Sequence, residues 1–175
     1  MMRTNVRWSF AVAVAALVVA SSARAQEFSK PGPEHAFLKK QEGTWDTTMK
    51  MAGMESKGTA TYKMELGGLW LVSYFEGAFA GEKFSGRGLD SYDAKKKKFV
   101  GVWFDSMTTT PMHMEGTYDA AKKTLTMVGE APGMDGKPQK HTAVSHMPDD
   151  NTINFSMYAG DAKEPAFTIV YKRRK

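Results

Sequence analysis

From Thr44 onward the chain breaks into short alternating runs of apolar and polar residues, with Gly, Pro, Asp or Asn between them. A period of two places successive side chains on opposite faces of a strand, so this pattern requires β-structure with one face buried. The runs predict strands at Thr44–Met51, Gly58–Leu66, Leu69–Ala80, Lys83–Tyr92, Lys98–Ser106, Met112–Tyr118, Thr124–Glu130, Lys140–Met147, Thr152–Ala159 and Ala166–Lys172. The connections are short. Turn signals stand at Ala52-Gly53, Gly67-Gly68, Gly81-Glu82, Met134 to Pro138 and Pro148 to Asn151. No segment offers the long helical crossover that parallel strands need, so the strands form an antiparallel meander. Residues 33–41 (PEHAFLKKQ) predict one short helix, with Pro in its first turn and Gly43 beyond its end. By pattern alone the meander closes either as a sandwich or as a barrel, and a barrel leaves no exposed edges.

The N-terminus has a different character. Arg3 and Arg7 precede an unbroken apolar run of 11 residues, Phe10 to Ala20, and small residues follow at Ala23 and Ala25. This order is that of a cleaved secretory signal. The run is about half the length that a membrane-spanning helix needs. The expected organisation is a removed signal over residues 1–25, a lead-in and short helix over 26–42, and one β-domain over 43–175. The mature protein is then periplasmic or secreted, without a membrane span. Three basic residues leave with the signal, so 21 basic side chains face 19 acidic ones in the mature chain. That near balance gives no support to nucleic-acid binding. The chain has no cysteine. This excludes disulfides, thiolate metal sites and cysteine nucleophiles.

Alternation assigns faces. Ile153, Phe155 and Met157 share one face, as do Phe167, Ile169 and Tyr171. Phe99, Gly101, Trp103 and Asp105 share another, as do Met112, Met114, Gly116 and Tyr118. The strand from Leu69 is apolar on both faces at its start, as for a strand covered on both sides, with the N-terminal helix as its candidate cover. The inner face is largely Met, aromatic and Gly, a soft lining suited to a lumen with room in it.

Gly43-Thr44-Trp45, after a short helix, resembles the Gly-x-Trp start of the calycin superfamily, which includes lipocalins, fatty-acid-binding proteins and nitrobindin-like barrels. In those barrels the Trp plugs the closed end. A longer resemblance covers about 130 residues. Leu66-Gly67-Gly68-Leu69-Trp70-Leu71, Gly86 to Asp93, Val100 to Met107, Glu115-Gly116-Thr117-Tyr118-Asp119 and Tyr171-Lys172-Arg173 follow in order, and together they resemble the bacterial domain of unknown function 1579 family. The resemblance implies an all-β, antiparallel up-and-down β-barrel of about ten strands, calycin-like, with a short N-terminal helix. It implies no established activity and supplies no catalytic residues.

The candidate lumen wall is Tyr62, Trp70, Tyr74, Phe99, Trp103, Met112, Met114 and Met127. Asp90, Tyr92 and Asp105 form its polar cluster, with Arg87 on the opposite face from Asp90 unless a bulge turns it. Buried carboxylates are costly unless paired, so Asp90 and Asp105 either bind a cation or polar head group, or carry a raised pKa. At strand ends they would instead tie turns. No cofactor is expected. Haem would need an axial histidine in the lumen, and His141, in phase with Ala143, Ser145 and Met147, is the candidate; His113 points outward. The histidines lack metal-site spacing, and no Gly-x-Ser-x-Gly occurs. Lys95 to Lys98 and Lys172 to Lys175 read as a solvated hairpin tip and a chain end, with contact to anionic lipid or wall polymer as the alternative. The expected function is binding of a small apolar or amphipathic molecule in the lumen. The alternatives are a lumen enzyme using Asp/Tyr proton transfer, and a solid-cored envelope protein that binds a partner through its surface.

Overall fold

A computed structural model describes residues 29–79, 81–133 and 136–175. The expected signal over residues 1–25, and the Met134-Asp135 part of one expected turn, lie outside the described residues. The described chain begins with helix α1 (Pro33–Lys39), followed by strands β1 (Gly43–Met51), β2 (Met54–Glu65), β3 (Trp70–Phe79), β4 (Glu82–Asp93), β5 (Lys98–Asp105), β6 (Met112–Asp119), β7 (Thr124–Pro132), β8 (Pro138–Asp149), β9 (Thr152–Ala159) and β10 (Phe167–Arg173). Every strand pairs antiparallel with the next, and β10 pairs back onto β1, giving a closed up-and-down barrel. The expected ten strands are therefore present, within a few residues of the expected bounds. No described helix is long and apolar enough to cross a membrane.

Closure is fixed at the β1–β10 seam, where Trp45 is opposite Arg173 and Lys50 opposite Thr168. Trp45 has no exposed surface. Its indole Nε1 donates to the carbonyl of Gln41 at 2.9 Å, and the guanidinium of Arg173 lies 4.1 Å over its ring. Arg173 also donates to the carbonyls of Lys40, Glu42 and Asp150, so one side chain joins the helix exit, the seam and the β8–β9 turn. Gly43 is required beside it. Its φ is +127°, a region that other residues avoid, and a Cβ there would lie 2.7 Å from an Arg173 guanidinium nitrogen.

The helix closes this end. Pro33 begins it, and His35 Nδ1 accepts the Gly32 N–H at 3.0 Å. Leu38 is buried and reaches the lumen floor. Phe37 stacks on Tyr118 at 4.0 Å between centroids and meets Phe99 edge-on at 5.9 Å. The helix is thus a plug and not an outer cover for β3; Leu71, Ser73 and Phe75 point inward from that strand while Trp70, Val72 and Tyr74 point outward. At the same end, an Asp holds each of the β4–β5 and β6–β7 turns. Asp93 accepts the N–H groups of Lys95 and Lys96, and Asp119 accepts that of Lys122. Within the Lys95–Lys98 tract, Lys96 and Lys98 hold Glu115 at 3.0 and 2.8 Å, and these contacts draw its carboxyl down to about 2.

Candidate functional site

The inner faces of the strands enclose a chamber of about 520 Å³. Its floor includes Leu38 and Gln41 from the helix end. Its rim includes Met107, Thr108 and Thr110 from the β5–β6 loop and Ala131 and Pro132 from the end of β7. The wall is mostly apolar. Phe75, Phe84, Trp103, Met112, Met114, Met127, Phe155 and Phe167 supply most of it.

Seven of the expected wall and polar residues line this chamber: Tyr62, Asp90, Trp103, Asp105, Met112, Met114 and Met127. Tyr92 and Phe99 also point inward, but at the plugged end. They pack on each other at 5.2 Å between centroids and flank the helix, where Tyr92 meets His35. Trp70 and Tyr74 are on the outer face. Tyr74 is exposed and lies under the Arg87 guanidinium, 5.0 Å from ring centroid to carbon. Arg87 is paired outside with Glu76 at 3.0 Å, so it cannot serve Asp90. The reading of Trp70 and Tyr74 as wall residues is corrected by strand phase: Tyr62 is opposite Ser73, and this register sends the even-numbered neighbours outward.

Glycines shape the polar part of the wall. Trp103 lies across β4, where a Cβ on Gly86 would fall 2.1 Å from its ring. Its Nε1 donates to Asp105 at 2.8 Å, and the second oxygen of Asp105 accepts the Met107 N–H at 2.9 Å. Asp105 therefore ties the rim at the end of β5, as a strand-end aspartate would. Asp90 differs. It lies within β4, three residues from the strand's end at the plug, opposite Leu71 on one side and Gly101 on the other. Burial pushes its carboxyl up to about 7. Burial also raises Tyr171 to about 12 and carries Tyr62 well above the usual phenol range, and the charge of Asp90 adds to both. These two phenol rings are 6.2 Å apart.

His141 lines the chamber as expected, and its Nε2 is buried without a hydrogen-bond partner among the described residues. His113 is exposed on the outer face. The described residues contain no group of three or more His, Asp or Glu that could hold a metal ion. Sequence reasoning missed Ser73, Phe75, Phe84, Phe155, Phe167 and Tyr171 as lining residues. The last three belong to the apolar faces that alternation assigns in the final strands, but they were not among the expected wall residues.

The plugged floor, continuous ring of strands and open rim define a closed β-barrel with a chamber inside. The chain belongs to the family of proteins of unknown function called DUF1579, whose profile matches residues 30–173. Among solved structures, a redesigned β-barrel is similar at 15% identity and a TM-score of 0.44, over 84% of this chain and 100% of that one. No curated protein matches.

Proposed function

We propose that this barrel binds a small apolar or amphipathic molecule in its lumen, and that it does so outside the cytoplasm after residues 1–25 are removed, in the manner of lipocalin-like calycins. The observation that carries the binding reading is the chamber of about 520 Å³ with a wall of Met and aromatic side chains. Ligand pockets are typically concave, largely apolar and of this order of size, with few polar groups to orient the guest. A solid-cored partner-binding protein has no use for such a space. The test is titration with N-phenyl-1-naphthylamine, a neutral apolar dye that brightens away from water. Saturable brightening is expected, and Ala143→Phe, which fills the lumen, abolishes it while the folded spectrum persists. Absence of saturable brightening in the unaltered protein overturns the reading. For export, the intact mass of the protein from an envelope fraction should be that of residues 26–175; a full-length mass there rejects cleavage.

A second reading is proton-transfer chemistry in the same lumen with Asp90 as base. It is favoured by a carboxyl near neutrality beside Tyr62 and Tyr171, since a base works best with a pKa near the working pH.

A further inference from the structure

Among the described residues lining the chamber there are two carboxyl groups, Asp90 and Asp105, and one imidazole, His141, but no lysine or arginine. Asp105 is engaged by the Trp103 indole and the Met107 N–H. Asp90 has neither a hydrogen bond nor an ion pair among the described residues. The wall is cut to hold it. A Cβ on Gly101 would lie 2.4 Å from Asp90 Oδ1, so the carboxyl rests over bare backbone. One step along the same face, the space above Gly88 is filled by Ser73 Oγ and the Trp103 ring. An enclosed carboxyl without a counter-charge is costly, and the cost is relieved when a ligand supplies the partner.

We infer that Asp90 receives the head group of the lumen ligand, and that this ligand is an amphipath carrying a protonated amine. The inference rests on the lumen-binding reading and names the class of ligand. The ammonium would meet the Asp90 carboxylate with the Tyr62 and Tyr171 rings nearby, where phenol faces favour a cation. Its apolar body would run along Met112, Met114 and Met127 toward the rim. A fatty acid fits this charge pattern poorly. It would add a negative charge beside two carboxyls, with no lysine or arginine on the wall to receive it.

The head group gives the binding a pH signature. The Asp90 carboxyl holds its proton up to about 7 and releases it when the ammonium docks, so amine affinity rises with pH through that range. The titratable groups facing it are Tyr62 and Tyr171 across the lumen, Tyr92 further down β4, Asp105 further up the wall, and His141 from β8. The adjoining face of β3, Leu71, Ser73 and Phe75, has none. The raised phenols stay neutral over this range. Replacing Asp90 tests whether the pH dependence belongs to its carboxyl.

The experiment is displacement of N-phenyl-1-naphthylamine by decylamine, decanol and decanoate, at about pH 5 and about pH 8. At the higher pH decylamine should displace the dye about tenfold more tightly than decanoate, the scale of one charge-assisted hydrogen bond. The preference should shrink at the lower pH, and Asp90→Asn should remove it. Equal displacement by the three head groups in the unaltered protein overturns the inference, whatever the variant does. So does an amine preference that survives Asp90→Asn. If the dye itself does not bind saturably, the lumen-binding reading has failed and this one falls with it.

Discussion

A carboxyl group placed among Leu71, Trp103 and two phenols ionises at the expense of the fold. The usual aspartate value is 3.8 and burial raises Asp90 to about 7. Below about pH 4 both folded and unfolded states hold the proton and there is no penalty. As pH rises from about 4 to about 7 the unfolded chain is ionised while the folded one resists, so stability falls across that window and levels off above it, by about 4 kcal/mol at the plateau. Asp90→Asn should therefore melt higher than the unaltered protein at alkaline pH, with the gap closing toward about pH 4. Melting curves across this range check it; a gap that does not vary with pH would mean that Asp90 is already charged in the fold. At the seam, Arg173→Ala removes the cation over Trp45 and three carbonyl contacts. A loss of about 2–4 kcal/mol is expected by chemical denaturation. Trp45 was legible from its Gly-x-Trp setting. Its partner was not, because Arg173 reaches it only through closure of the ring.

At the scale of elements, alternation was a good guide to existence and a poorer guide to facing. Strands β9 and β10 were read with the right members on each face because Ile153, Phe155 and Met157 alternate with polar neighbours. In β3 the run from Trp70 to Phe75 is apolar in both phases apart from Ser73, so period two carried no information there. Only pairing with β2 decided it, and Trp70 and Tyr74 fell outside. The helix was placed correctly in the sequence, but its role as a plug depends on Phe37 meeting Phe99 and Tyr118, contacts between segments far apart in the chain. Leu38→Ala should cost about 2–4 kcal/mol, the range for a buried leucine truncated to alanine. It should also open the floor, so that N-phenyl-1-naphthylamine is released faster in stopped-flow measurements. Unchanged release would mean that the rim alone governs passage.

For the whole molecule, closure was the property least visible in the sequence. Ten strands with turns between them satisfy a sandwich as well as a barrel, and what distinguishes them is the single non-sequential pairing, β1 with β10. The family likeness supplied that expectation where pattern did not. The same pairing predicts how the molecule fails. Removing residues 167–175 strips β10 and leaves the facing edges of β1 and β9 without partners, and exposed edges invite association. Loss of the cooperative folded state, seen by circular dichroism, with aggregation on size exclusion, is the expected result; a monomer that keeps its melting transition would show that the seam is dispensable.

The polarity of the barrel has a practical side. The lead to the helix and the end of β10 both leave from the plugged end, while the β5–β6 loop and the end of β7 frame the opening at the far end. Whatever is fused beyond β10, whether a tether to a surface, a dye or a second domain, would hang behind the vessel and leave its mouth facing free solution.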